Sequence, residues 1–360
     1  MSPKRRAGFA PVLLAAALLG AAPGPALAPG PGTAAVEAVG PIALTVADAD
    51  RSADFFVRAL TFQKVSAVEL AGPEIERVQG VFGVRVKVVT LRLGREEVEL
   101  HQYLAPRGRP IPSDSAANDL WFQHLAIVVR DMDEAYQHLR RQNVGFVSTE
   151  PQRLPEWNPQ AGGIRAFYFR DPDGHTLELI QFPAGKGEPR WQRPAGRQLF
   201  LGIDHTAIAV SDTASSLALY RDVLGMRVAG GSENYGTEQE HLSGVFGARV
   251  RITSLRAPAG PGIELLEYLA PHGGRAMPEG SRASDLWHWQ TRLYVRDTHA
   301  AAARLEQAGV PFVSPGVQRA PVGLAFDSSL LVLDPDGHAL QVVERGHGMQ
   351  SRRQPSSSPR

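Results

Sequence analysis

The 360-residue chain contains no cysteine. Disulfides, thiolate nucleophiles and cysteine-ligated metals are thereby excluded, and so is a lipoprotein anchor, which needs a cysteine to carry it. An excess of one charge is missing too: 38 basic residues against 37 acidic ones leave a formal +1. With Lys4, Arg5 and Arg6 set aside, the remainder is formally −2. That balance supports neither a nucleic-acid partner nor a basic membrane-binding face. Long apolar runs are scarce. The run from Phe9 to Ala22 is too short for a comfortable membrane span, so no stable membrane anchor is expected.

What is present is ordinary globular composition. At 43% hydrophobic the chain can build a real core, and its length suggests about two domains. The start, "MSPKRRAGFAPVLLAAALLGAAPGPALAPGPG", has a basic opening, an apolar stretch and a small-residue site at Ala26-Leu27-Ala28. This is the layout of a secretory signal, so export to a periplasmic or external compartment is the expectation. Pro29 hinders cleavage after Ala28, which makes Thr33-Ala34-Ala35 a second candidate. Residues 1–35 are read as signal and Pro/Gly-rich segment, and 346–360 as a disordered tail.

Between these ends the chain repeats itself. "GVFGVRVKVVTLRLGREEVELHQYLAP" (80–106) returns as "GVFGARVRITSLRAPAGPGIELLEYLAP" (244–271). "NDLWFQHLAIVVRDMDEA" (118–135) returns as "SDLWHWQTRLYVRDTHAA" (284–301), and the turn "DPDGH" occurs at 171 and again at 334. Each half divides again into a strand, a helix and three further strands. In "LAIVVRDMDEAYQHLRRQNVGFV", Ala135, Leu139 and Val144 mark the apolar side and Arg140, Arg141 and Gln142 the solvated one. The unit is βαβββ, written four times. Two domains are expected: 36–183, with modules at 36–106 and 118–183, and 200–345, with modules at 200–271 and 284–345, joined by a linker at 184–199. One such unit leaves a sheet face uncovered, so modules must pair, and four modules complete two cups without a second chain. A monomer is therefore possible.

The segments "GIDHTAIAVSDTASSLALYRDVLGMRV" (202–228), "QHLAIVVRDMDEA" and "FRDPDGHTLELIQF" carry a resemblance to the vicinal oxygen chelate superfamily. That superfamily includes glyoxalase I, extradiol dioxygenases, methylmalonyl-CoA epimerase and the fosfomycin and bleomycin resistance proteins. The resemblance runs over about residues 38 to 346. It implies an α+β fold in which paired modules form two cupped half-barrel sheets. It also implies one divalent metal ion (Ni, Fe, Mn, Co or Zn), with ligands from the first and last strands of each module, and a small-molecule substrate.

Carried over position by position, the resemblance offers His124 and Glu178 in module two and His205 and Glu264 in module three. Module one has Pro41 in place of a first-strand ligand and Glu99 in its last strand, while module four has Gln290 and Gln341. Pairing modules two with three and one with four gathers all the good ligands in one cup, and is favoured. Pairing one with two and three with four would leave both cups partial. Strand side chains alternate, so His124, Ala126 and Val128 share a face. Imidazole and carboxylate ligands suit the metals named above.

Other residues have plainer readings. Glu99 is expected to be a relic or to face solvent, with His101 on its face as a lesser candidate ligand or base. His175 and His338, in turns, are expected to be exposed. Trp121 and Trp287 read as packing at module junctions, and Tyr103 and Tyr268 as structural residues common to both halves.

Three activities fit the pattern. The favoured one is a glyoxalase-type lyase or isomerase in which Glu178 or Glu264 shuttles a proton. Its substrate is unknown; export argues against a glutathione- or coenzyme A-linked one. The second is an Fe(II) ring-cleaving dioxygenase using His124, His205 and Glu178. The third is a non-catalytic binding or resistance protein.

Overall fold

The computed structural model describes residues 35–345 except 195, 273, 322, 323 and 325. The expected signal segment (all but Ala35) and tail lie outside the described residues. No helix among the described residues is long and apolar enough to cross a membrane.

Module one comprises β1 (Ala38–Thr45), α1 (Ala49–Leu60), β2 (Gln63–Ala71), α2 (Pro73–Gln79), β3 (Arg85–Leu93) and β4 (Glu96–Ala105). Module two comprises β5 (Gln123–Val129), α3 (Met132–Arg141), the short strands β6 (Gly145–Phe146) and β7 (Gln152–Arg153), β8 (Arg165–Arg170) and β9 (Thr176–Gln181). A short helix, α4 (Pro189–Gln192), interrupts the linker. Module three comprises β10 (Phe200–Val210), α5 (Thr213–Leu217, continuing as a π-helical turn to Val223), β11 (Arg227–Tyr235), α6 (Thr237–Ser243), β12 (Arg249–Arg256) and β13 (Gly262–Ala270). Module four comprises β14 (Trp289–Val295), α7 (Thr298–Gln307), β15 (Gln318–Arg319), β16 (Phe326–Leu333) and β17 (Ala339–Arg345).

The main helix of every module opens on the same device. Asp48, Asp131, Asp212 and Asp297 occupy extended N-cap positions, and each carboxylate accepts from backbone N–H groups of the first turn. Such a cap satisfies donors that the helix itself leaves open and contributes about 1 kcal/mol. In α1 the buried side is Ala49, Ala53, Phe56 and Leu60, a helical spacing. Gly72 and Gly236 precede α2 and α6 at φ 102° and 89°, where a side chain would be strained.

The sheets join modules across the two halves. One runs β15-β16-β17-β14-β1-β4-β3-β2, so it combines modules four and one; the other runs β11-β12-β13-β10-β5-β9-β8-β6 and combines modules three and two. This is the pairing favoured by the concentration of ligands. The cores, by contrast, follow the halves. Ile42, Phe56 and Leu100 of module one pack with Leu125, Ile127 and Phe167 of module two. Ile208, Tyr220 and Leu265 of module three pack with Leu293, Leu330 and Val342 of module four. Each half thus shares a core, and each cup takes one module from each half.

The connections between modules lock this crossing. Arg109 bridges Asp285 at 2.7 Å and lies over the Trp287 ring. Arg275 bridges Asp119 at 2.7 Å and lies over Trp121. The repeated Asp-Leu-Trp segment is therefore a docking point for an arginine from the other half.

Two expectations are corrected here. His175 and His338 are buried, not exposed, because each folds back onto the first aspartate of its own turn. His175 Nδ1 lies 2.8 Å from Asp171 and its Nε2 2.7 Å from the carbonyl of Leu286, while His338 Nδ1 lies 3.1 Å from Asp334. Burial lowers the pKa of these histidines, but the adjacent aspartates more than offset it and raise both above the usual value.

Candidate metal centre

β5 and β10 lie side by side at the centre of the sheet shared by modules two and three, antiparallel, with β9 and β13 flanking them in parallel. β5, β9 and β10 are buried almost throughout, and β13 in part. In β10 the register slips between Ile203 and His205, and in β1 it slips between Val39 and Ile42, around Pro41. Such a bulge re-aims the following side chain, and proline is tolerated there. Module three places a histidine at this position, whereas module one places a proline that offers no ligand.

His124, Glu178 and His205 come together on the concave side. Their ligand-capable atoms all lie within 4.8 Å of one another, and all three residues are buried. Glu178 Oε2 lies 3.2 Å from His124 Nε2 and 3.5 Å from His205 Nε2. Glu264 stands just outside this group, 3.4 Å from His205 Nε2, and its other oxygen accepts from the Ser254 hydroxyl. Its side chain is 20% exposed, against 6% for Glu178. All four sequence candidates thus meet in one cup, but Glu264 is the loosest of them.

The electrostatics are those of a site built around carboxylates. Burial alone would push the Glu178 carboxyl up, yet the imidazoles of His124 and His205 bring it down to about 2. Burial pulls His205 down, but Glu264, Asp204 and Glu178 together carry it well above the usual histidine value. Both nitrogens of His124 are buried and outside hydrogen-bond geometry among the described residues, Nε2 having only the 3.2 Å approach of Glu178. A buried imidazole satisfied so incompletely is costly unless something else takes its lone pair. An ion would do so, and two imidazoles with a carboxylate are a donor set that first-row divalent metals accept. The residues therefore fit a metal.

The support for His205 comes from the linker, which the sequence reading treats only as a connector. His205 Nδ1 lies 3.0 Å from Asp204 Oδ2. Asp204 in turn accepts from Trp191 Nε1 at 2.8 Å and from Arg256 at 2.8 Å. Trp191 sits in α4, and the neighbouring Arg190 pairs with Glu96 at the start of β4. Burial raises the Asp204 carboxyl, but His205, Arg256 and Trp191 outweigh it and hold it below the ordinary range. A carboxylate on the far nitrogen fixes which nitrogen of the imidazole faces a metal.

Tyr168 is a site residue that sequence reasoning missed. It stands opposite Glu178 in the β8–β9 ladder, and its ring centre is 4.9 Å from that of His124. Burial, and then the charges of Glu178 and Glu264, hold its hydroxyl well above the usual tyrosine value, so it stays protonated. The available signal was its alternation with Phe167 and Phe169, which places it on the concave face. An open cavity of about 1960 Å³ is lined by all four ligand candidates and by Tyr168, and extends past the linker to module one residues such as Arg92 and Glu97.

The cup of modules one and four is filled instead. Arg292 occupies its centre, donating to both oxygens of Glu99 at 2.8 Å and to Gln341 at 2.9 Å. Glu99 is buried rather than a solvent-facing relic, because Arg292 and His101 bind it from two sides. Burial would raise its pKa, but Arg292 and then His101 bring it to about 2. His101 Nε2 lies 3.1 Å from Glu99 Oε2 and is thus occupied by that carboxylate. His288 is pushed down to about 4 by burial and by His101. Gln290 contributes to the same interior, its side-chain oxygen unpaired among the described residues.

Comparison with known proteins agrees with this architecture. A family model described as "Glyoxalase/Bleomycin resistance protein/Dioxygenase superfamily" matches residues 38–179 and 202–342. A 2-epi-5-epi-valiolone epimerase from Actinomyces sp is 34% identical over 183 residues, covering 46% of this chain and 94% of that protein. Glyoxalase I from Zea mays superposes with a TM-score of 0.57 at 16% identity, covering 88% of this chain and 94% of the other. A putative dioxygenase from Bacillus subtilis gives 0.53 at 13% identity, with 86% of each chain covered. At these identities the two structures speak for the fold alone.

Proposed function

The chain belongs to the glyoxalase/bleomycin resistance protein/dioxygenase superfamily, and from that premise we propose that it is a metal-dependent isomerase that moves a proton at a carbon beside a carbonyl group. One observation carries this reading. His124, Glu178 and His205 converge on one point, with His124 Nδ1 buried and without a hydrogen bond among the described residues, while a second carboxylate, Glu264, is held beside them by Ser254.

His124, Glu178 and His205 would hold a divalent ion, which when bound supplies Lewis-acid polarisation of the substrate carbonyl. Glu178 suits the role of fixed ligand, since it is pressed between two imidazoles and kept anionic. Glu264 suits that of proton carrier. It is the more exposed carboxylate, it faces the cavity, and the Ser254 hydroxyl gives it a resting partner. It would take the proton from the carbon beside the carbonyl and return it, on the same face, to the neighbouring carbon; inversion at the first carbon would need a second proton donor on the opposite face. Tyr168, kept protonated, can donate a hydrogen bond to the oxygen on which charge develops. The Actinomyces relative is named as an epimerase, and inverting a centre beside a carbonyl needs the same removal and return of a proton.

The test is solvent exchange. An α-hydroxy ketone incubated in D₂O with metal-loaded protein should take up deuterium beside its carbonyl by NMR. Glu264→Gln should abolish the uptake, and excluding oxygen should not change it. Two histidines and a carboxylate within 4.8 Å of one another also make the donor set of oxygen-activating iron. Turnover of a catechol that requires Fe(II) and oxygen, without deuterium exchange, would select that second reading.

A further inference from the structure

The two cups can be compared position by position, because their strands share one register. Tyr168 faces Glu178 across β8–β9 as Leu331 faces Gln341 across β16–β17. Asn234 pairs with Val250 as Leu70 pairs with Val86. Gln239 is the third residue after the helix-entry Gly236, as Ile75 is the third after Gly72. At all three positions the open cup carries a hydrogen-bonding side chain and the filled cup an aliphatic one, and all six residues are buried. The fold therefore does not require polarity there, since Leu70 and Ile75 pack into the apolar interior of the filled cup.

Nor are the polar groups fully used by the protein. Gln239 lines the cavity, and its side-chain oxygen is buried without a partner among the described residues. Asn234 also lines the cavity. Its oxygen accepts from Asn158. Tyr168 lines the same wall. Buried polar groups are ordinarily paired, and one left open in a cavity wall is a position kept for a ligand atom. A primary amide offers a donor and an acceptor whichever way it is turned. The complementary ligand group, able both to give and to take, is a hydroxyl.

We infer that Asn234 and Gln239, in the wall beside Tyr168, form a recognition subsite for a polyhydroxylated substrate, so that the carbonyl compound handled at His124, Glu178, His205 and Glu264 carries several hydroxyl groups along its body. This rests on the isomerase reading for the carbonyl, while the hydroxyl preference stands on the cavity wall. A catechol or another largely apolar body would leave the Gln239 oxygen buried and unpaired, and would bind poorly for that reason.

The test is a binding comparison that needs no turnover. The full chain, loaded with cobalt(II), is titrated calorimetrically with scyllo-inosose, a ring ketone bearing five hydroxyls, and with 2-hydroxycyclohexanone, which bears one. The inosose is expected to bind at least about tenfold more tightly, because each buried amide left unpaired costs affinity. In Gln239→Ile the filled cup's own residue is installed. In Asn234→Leu the filled cup's residue at the matching position, Leu70, is installed as well. Combining the two should bring the ratio to within about twofold, since the groups that discriminate are then gone. The cobalt(II) visible spectrum should not change, which shows that the fold and the ligand set are intact. Equal affinities in the wild type, no binding of the inosose, or a ratio that survives both substitutions would overturn the subsite. Failure of the isomerase reading appears separately, as absence of deuterium exchange with the binding ratio intact.

Discussion

Ala126 and Arg292 hold the same place in the first strands of modules two and four, two residues beyond His124 and Gln290. Where the chain has alanine, the cup is open, and Glu178, Glu264 and two histidines face a cavity. Where it has arginine, the guanidinium stands among the residues matching those ligands and binds Glu99 and Gln341. The filled cup has kept one acid, and has answered it with a built-in cation. The comparison teaches that a buried carboxylate at this position must be matched by positive charge from somewhere. In one cup the protein supplies it; in the other it leaves room for a ligand. Pro41 stands at the position matching His205 and Gln341 at the one matching Glu178, so the filled cup lacks those two ligands.

Transplanting the difference should give the largest effect. Ala126→Arg is expected to carry the plug into the open cup, pairing with Glu178 and Glu264. Cobalt(II) affinity by calorimetry should fall by more than the roughly 10–100-fold typical of a lost supporting contact. A normal thermal melt alongside would show that the chain still folds.

The reverse change breaks the filled cup. Arg292→Ala leaves Glu99 buried without its main partner and should cost about 3–5 kcal/mol in urea unfolding. Replacing both residues by leucine should recover most of that loss, since an apolar pair can substitute for a buried ion pair. The same pair sets an acid limb. Glu99 titrates at about 2 in the folded chain against an ordinary 4.5, so its contribution is present above about pH 4.5 and is lost as the pH falls toward 2. The contribution is on the order of 3 kcal/mol, and stability in Glu99→Gln should fall less steeply across that window than in the wild type.

The smallest expected effect lies in the linker's support of the open cup. Asp204→Asn removes the carboxylate behind His205 and should weaken cobalt(II) binding by about 10–100-fold, leaving the stoichiometry unchanged.

Much of this was legible in the sequence. The four modules could be read because each opens on a strand followed by a helix, and because long segments recur. His124, Glu178, His205 and Glu264 could be read because they stand at matching strand positions in two adjacent modules. Arg292 was not legible as a plug: in "WQTRLYV" it reads as one more charged residue, and only the pairing of β14 with β1 and β17 shows what it neutralises. His175 and His338 were misjudged because a turn suggests exposure, whereas their aspartates draw the rings inward. Trp191 and Arg190 were passed over because a Pro/Gly-rich stretch reads as a connector. Gln239 and Asn234 became visible only when both cups could be compared in register.

The most direct test of the central contrast is the metal content of the purified chain after equilibration with cobalt(II) and removal of free ion, measured by elemental mass spectrometry beside His205→Ala and Glu99→Gln. One ion per chain, lost in His205→Ala and retained in Glu99→Gln, is the predicted result. Two ions per chain, or one that survives His205→Ala and disappears in Glu99→Gln, would contradict the assignment of the open cup as the metal site.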